Sequence, residues 1–170
     1  MGFRDINAFN LAMLAKQAWQ LIHGTHSLFY RVYEDRCFPS STFLEAPLGH
    51  NPSFVWRSLL SARDVIIASL KWKIGDGKRI GVAMHKWLSH NPIFNGEPNP
   101  ELKVNDLIDA DTRQWDRGKV HSLFIARTRN EILTLPLNDT QAKDSLIWME
   151  NKYRTFSIKT ANHVALWLKQ

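Results

Sequence analysis

The spacing of apolar residues along this chain changes period as it proceeds, and each period predicts an element. Ile6, Phe9, Met13, Leu14, Ala18, Leu21 and Ile22 recur three and four residues apart, which predicts an amphipathic helix over Asp5–His23, capped by Asp5 and closed by Gly24. Ser27 opens a second helix carrying Leu28 and Val32, which ends before Phe38-Pro39. Residues 39–50, punctuated by Pro39, Pro47 and Gly49, read as an ordered loop. Asn51-Pro52 then starts a third helix, with Trp56, Leu59, Leu60, Arg63, Ile66, Ile67 and Leu70 as its buried stripe.

Beyond Leu70 the period becomes two. Trp72 and Ile74 alternate with Lys71 and Lys73, Gly75-Asp76-Gly77 supplies a turn, and Ile80 and Val82 resume the apolar side. This predicts a β-hairpin with Lys71, Lys73 and Arg79 on one outward face. Residues 89–100, rich in Asn and Pro, read as a connector. Short helices follow at 104–108, 117–124 and 127–133. Residues 144–151 and 155–158 form a second predicted hairpin, and Thr160 caps a last helix bearing Ala161, Val164, Ala165 and Leu168. The fold class is therefore α+β, mostly α-helical with two small β-hairpins.

Composition narrows the picture modestly. With 170 residues, 44% hydrophobic and 22% charged, the chain is long enough for a core of ordinary domain size and is not disordered in character. The formal charge of +6 is a mild basic bias, compatible with an acidic partner such as nucleic acid. A single cysteine, Cys37, excludes an internal disulfide. No apolar run reaches the roughly 18 to 20 residues of a membrane span. Neither a secretory nor a transit signal is visible, so a nuclear or cytoplasmic location is expected. Met1-Gly2 lacks the Ser or Thr that myristoylation needs at position six, which is Ile6. Asn138-Asp-Thr140 fits a glycosylation acceptor that would stay idle without a secretory route.

Few residues suggest chemistry. Gly75-Asp76-Gly77 leads into a β-pattern rather than a helix, so a turn explains it better than a phosphate cradle. Asp106, Asp109, Asp111 and Asp116 crowd one short stretch, whereas a two-metal centre draws carboxylates from separate elements; a solvated acidic face is the simpler reading. His23, His26, His85 and His90 lack the thiolates and close spacing of a zinc site, and Cys37 reads as an inert thiol. No metal or cofactor is expected. The strongest binding candidate is the basic set Lys71, Lys73, Lys78, Arg79 and Lys86. It is either a solvated sheet face or a nonspecific contact for RNA or DNA backbone.

At this point the chain resembles a known family. Gly2-Phe-Arg-Asp-Ile6, Asn51-Pro-Ser53 leading to Trp56-Arg-Ser58, Trp72-Lys-Ile-Gly-Asp-Gly-Lys78 and Trp87-Leu88 look like plant non-LTR (LINE-type) retrotransposon polyproteins, in the segment after the polymerase. Leu135-Pro-Leu137, Trp148 and Phe156-Ser-Ile-Lys-Thr-Ala161 continue the likeness in the same order. The resemblance implies that reverse transcriptase chemistry lies upstream, with a paired-aspartate turn this chain lacks, and that a zinc-binding-like segment and ribonuclease H lie downstream of Gln170. On that reading residues 1–70 follow the polymerase, 71–100 hold the basic hairpin and connector, and 101–170 lead toward the zinc-binding-like region. The expectation is a non-catalytic remnant, its fold incomplete if the chain is a fragment. The alternatives are an enzyme fragment that retains activity and an independent nucleic-acid-binding module. Two departures stand out. Val82-Ala-Met-His-Lys-Trp87 replaces the family's Trp-Glu-Asp-x-Trp string, and Lys152-Tyr-Arg-Thr155 lacks the family's turn glycine.

Overall fold

In the computed structural model, which describes residues 5–137 and 142–170, helices dominate and one small antiparallel two-stranded sheet accompanies them, an α+β fold. The helices are α1 (Ile6–His23), α2 (Leu28–Cys37), α3 (Phe54–Ser61), α4 (Arg63–Ser69), α5 (Arg117–Leu123), α6 (Ala126–Thr134) and α7 (Ile158–Trp167), with a 3-10 turn at Val104–Leu107. The strands are β1 (Leu70–Lys73) and β2 (Ser145–Trp148). The chain divides into two compact units, residues 1–70 with 148–170, and residues 71–147.

Local chemistry sets most helix starts. Asp5 accepts from the Ala8 amide at 2.9 Å and Ser27 from the Tyr30 amide at 3.0 Å, the capping bonds that an Asp or Ser ahead of an apolar period predicts. Two expected starts shift. Ser53, not Asn51, caps α3, accepting from the Trp56 amide at 3.2 Å, and Ser157, not Thr160, caps α7. The long helix expected over 51–70 breaks at Ala62 into α3 and α4. Arg63, just past the break, donates to the Ala46 carbonyl at 2.6 Å and so ties residues 39–50 to this corner.

On α1 the first unit buries only the C-terminal part of the stripe that the sequence pattern indicated, Ala18 and Leu21, and adds three alanines outside it. On α1 the buried residues are Ala8, Ala12, Ala15, Ala18 and Leu21, whereas Ile6, Phe9 and Met13 are exposed. The alanines face α7, whose buried residues Ala161, Val164 and Ala165 are also small, so the two helices pack closely. Trp148 is fully buried beside them; its indole donates to Thr160 Oγ1 at 2.8 Å and meets Trp19 edge-on at 5.8 Å. Burying one such side chain removes roughly 200 Å² from water, worth about 5 kcal/mol before entropy.

Neither expected hairpin forms as a strand pair: both arms of the first and the near arm of the second find distant partners, while the far arm of the second joins no strand. β1 pairs with β2 across the sequence rather than with residues 80–82. Residues 80–82 instead pair with 102–104: the Val104 amide donates to the Ile80 carbonyl and the Val82 amide to the Leu102 carbonyl, both at 2.9 Å. The second arm of the second hairpin is consumed when Ile158 enters α7. The second unit closes over Ile80, Val82, Trp87, Leu88, Val104, Leu107, Val120, Phe124 and Ile132, with residues 89–100 held inside that unit by Asn95, whose amide reaches the Ser122 and Phe124 carbonyls. The glycine-free turn at Lys152-Tyr-Arg-Thr155 places Arg154 at φ +58°, a conformation glycine adopts at less cost.

Candidate nucleic-acid interface

Strand β1 fixes the first two cations of the basic set. Lys71 and Lys73 alternate with Trp72 along it; Lys73 is exposed and Lys71 half-buried. The Trp72 amide donates to the Lys86 carbonyl at 2.8 Å, which brings exposed Lys86 alongside β1. Lys78 and Arg79, both exposed, follow the Gly75-Asp76-Gly77 turn. Arg79 does not share the outward face of Lys71 and Lys73. Its guanidinium lies over the Trp72 ring, 5.5 Å from the centroid, and His85 stacks on the same indole at 5.1 Å. The expected alternation presupposed a continuous hairpin, and without one residue 79 is not in register with residues 71 and 73. What results is a half-buried indole carrying a cation and an imidazole, with lysines on the neighbouring strand positions.

The turn itself is built by a residue the sequence did not single out. Asp144, buried, accepts through Oδ1 from the Gly75 and Gly77 amides at 2.7 and 2.9 Å, and through Oδ2 from the Arg79 amide at 2.9 Å. Two of these donors belong to the turn itself and the third to the residue that leaves it. They are also the donors a phosphate would need, so the carboxylate occupies the cradle. Both glycines are required here: a side chain on Gly75 would collide with the Ala142 and Lys143 backbone, and Gly77 has φ +74° with Asn105 N 2.6 Å from where its Cβ would stand. Gly-Asp-Gly was a visible half of this device. Its acid partner lies 69 residues from Gly75, with no local signal.

The other candidates serve their own backbone. Asp106 accepts from the Lys103 amide, Asp116 caps α5, and Asp109 accepts from the Asp111 and Thr112 amides and the Thr112 hydroxyl. Thr112's amide and then its hydroxyl hold the Asp109 carboxyl below the usual range. Among the described residues no group of three His, Cys, Asp or Glu side chains could hold a metal. Burial pushes the Cys37 thiol up, against the opposing charge of Arg36, which disfavours the thiolate. Asn138-Asp-Thr140 and Met1-Gly2 lie outside the described residues. No helix among the described residues is long and apolar enough to cross a membrane.

One polar cluster went unrecognised in the sequence. His90 Nδ1 stands 2.7 Å from Glu131 Oε2, and its Nε2 lies 3.3 Å from Thr128 Oγ1, which also accepts from the Ile93 amide. Glu131 further accepts from the Ser89 amide. Burial raises the Glu131 carboxyl, but the Ser89 bonds and the charges of His90 and Lys71 outweigh it and leave the group below its ordinary value. The order carboxylate, imidazole, hydroxyl matches a catalytic relay, yet Thr128 is wholly buried on α6. The cluster therefore fastens residues 89–93 to α6.

Two plant proteins match this chain. It is 40% identical over 102 residues to an uncharacterized mitochondrial protein of Arabidopsis thaliana, covering 60% of this chain and 63% of that protein. It is 30% identical over 175 residues to the Arabidopsis thaliana "Putative ribonuclease H protein", covering 95% of this chain and 27% of that protein. The chain is homologous to both. It spans less than two thirds of the length of either. No family model and no solved structure matches.

Proposed function

We propose that this chain is a non-catalytic interaction segment derived from a retroelement polyprotein, and that it contacts RNA or DNA backbone nonspecifically through Lys71, Lys73, Lys78, Arg79 and Lys86. The observation that carries this reading is that four of these five cations are exposed, with Lys71 and Lys73 flanking Trp72 on β1 and Arg79 over its ring. Homology to a protein whose name includes ribonuclease H supports a nucleic-acid context, and matching only 27% of that protein fits a segment of a longer ancestor. Asp106, Asp109 and Asp116, engaged in caps and turns, support a binding rather than a catalytic role.

The test is an anisotropy titration of labelled duplex DNA across a series of salt concentrations, comparing the natural chain with Lys73→Gln/Lys78→Gln/Arg79→Gln. Each phosphate contact contributes about 0.9 to the slope of log K against log salt. The triple variant should flatten that slope by up to about 2.7 and weaken binding. An unchanged slope with equal affinity would remove the basic set from the interface.

A further inference from the structure

The second unit also contains a cleft that none of the basic set lines, with a volume of about 260 Å³. Arg113, Gln114, Trp115, Arg117, Leu133 and Leu137 line it. The turn that presents Arg113 is firmly built, and Arg117 opens α5 just after it. The Asp109 amide donates to the Gln114 carbonyl at 2.8 Å, the Arg113 amide to the Asp109 carbonyl at 2.9 Å, and Ile108 bridges Trp115. Trp115 is fixed by its indole N–H, which donates to the Leu135 carbonyl at 2.9 Å, and by Trp87, 6.2 Å away centre to centre. Arg113 sits at φ +55°, where a long side chain is rarely found. No hydrogen bond or ion pair within the described residues engages either guanidinium, while the neighbouring carboxylates of Asp109 and Asp116 are committed to Thr112 and Lys119.

We infer that this cleft binds a nucleotide: one base against Trp115, Leu133 and Leu137, with its phosphate between Arg113 and Arg117. The chemistry points there for three reasons. A fixed indole beside apolar side chains offers a stacking surface for a planar ring. Two guanidiniums that no partner among the described residues engages offer bidentate donors to phosphate oxygens. The volume falls just below the roughly 300 to 1,000 Å³ of drug-sized ligand pockets, so the cleft takes one base and leaves the phosphate at the rim, where Arg117 is exposed. The Gln114 side-chain amide adds a donor and an acceptor for a base edge. The ligand is either a free mononucleotide or one unit of a single strand, and the site does not depend on the lysine set.

The experiment uses labelled AMP and a labelled short oligouridylate, titrated against the full chain, Arg113→Gly/Arg117→Gln, and a charge-matched control, Lys73→Gln/Lys78→Gln. Glycine suits φ +55°, so the first variant retains the turn; Arg117→Gln alone, on an exposed side chain, serves if the double variant loses its cooperative melt. Loss of AMP binding by at least tenfold in the arginine variant, with the lysine control unchanged, assigns the cleft to a free nucleotide. Absent AMP binding, with oligouridylate weakened at least tenfold more by the arginine variant than by the control, assigns it to a unit of a strand. Equal effects of the two variants on oligouridylate, or AMP affinity unchanged in the arginine variant, overturn the proposal. Loss of strand binding only in the lysine control leaves the basic-set reading standing and removes this one.

Discussion

Replacing Asp144 with alanine tests the architecture around the basic set. The carboxylate accepts three backbone hydrogen bonds, and the two glycine donors are themselves buried. A buried donor left without a partner costs about 1 to 3 kcal/mol, so orphaning two, with partial relief from entering water, should cost about 3 kcal/mol. Urea unfolding followed by tryptophan fluorescence, with a slope of about 2 kcal/mol/M, would then show the midpoint falling by about 1.5 M. Hydrogen exchange adds position: the Gly75, Gly77 and Arg79 amides should lose protection first. Asp144→Asn should cost about half as much, because its carbonyl oxygen still serves the glycines while its NH₂ group confronts the Arg79 amide. A midpoint shift below about 0.3 M for Asp144→Ala, with those amides still protected, would refute the claim that this carboxylate holds the 75–79 turn.

Two further outcomes follow from the same geometry. Glu131 has its folded-state pKa held below its ordinary value, so its contribution to stability is full above the unfolded value and disappears as pH falls through the folded one. Glu131→Gln should therefore lower the melting temperature at neutral pH and match the natural chain once pH is well below 4.5; parallel curves at every pH would contradict this. Arg154→Gly, at φ +58°, should stabilise by about 0.5 kcal/mol, the relief of left-handed strain exceeding glycine's unfolded-state entropy; a lower urea midpoint would count against strain at that turn.

What could be read from the sequence followed the range of the interactions. The caps at Asp5 and Ser27 involve atoms three residues apart, and the elements they start were legible. The pairing of β1 with β2, and the Asp144 clip, join positions about 70 residues apart, where periodicity carries no information. The buried face of α1 was partly misread because alanine contributes little to an apolar pattern yet permits the closest helix packing, while the larger Ile6, Phe9 and Met13 drew attention to the exposed side. At the basic set, Lys71 and Lys73 kept the alternation of a strand. Arg79 did not, because its register depended on a hairpin the chain does not form.

The most direct measurement incubates the purified chain with an end-labelled RNA–DNA hybrid and magnesium, resolving bound complex and strand length from the same sample. Binding that weakens steeply with salt while both strands keep their full length is the predicted result. Shortened RNA that accumulates with time and enzyme concentration, or no complex even at low salt, would contradict a segment that holds nucleic acid without processing it.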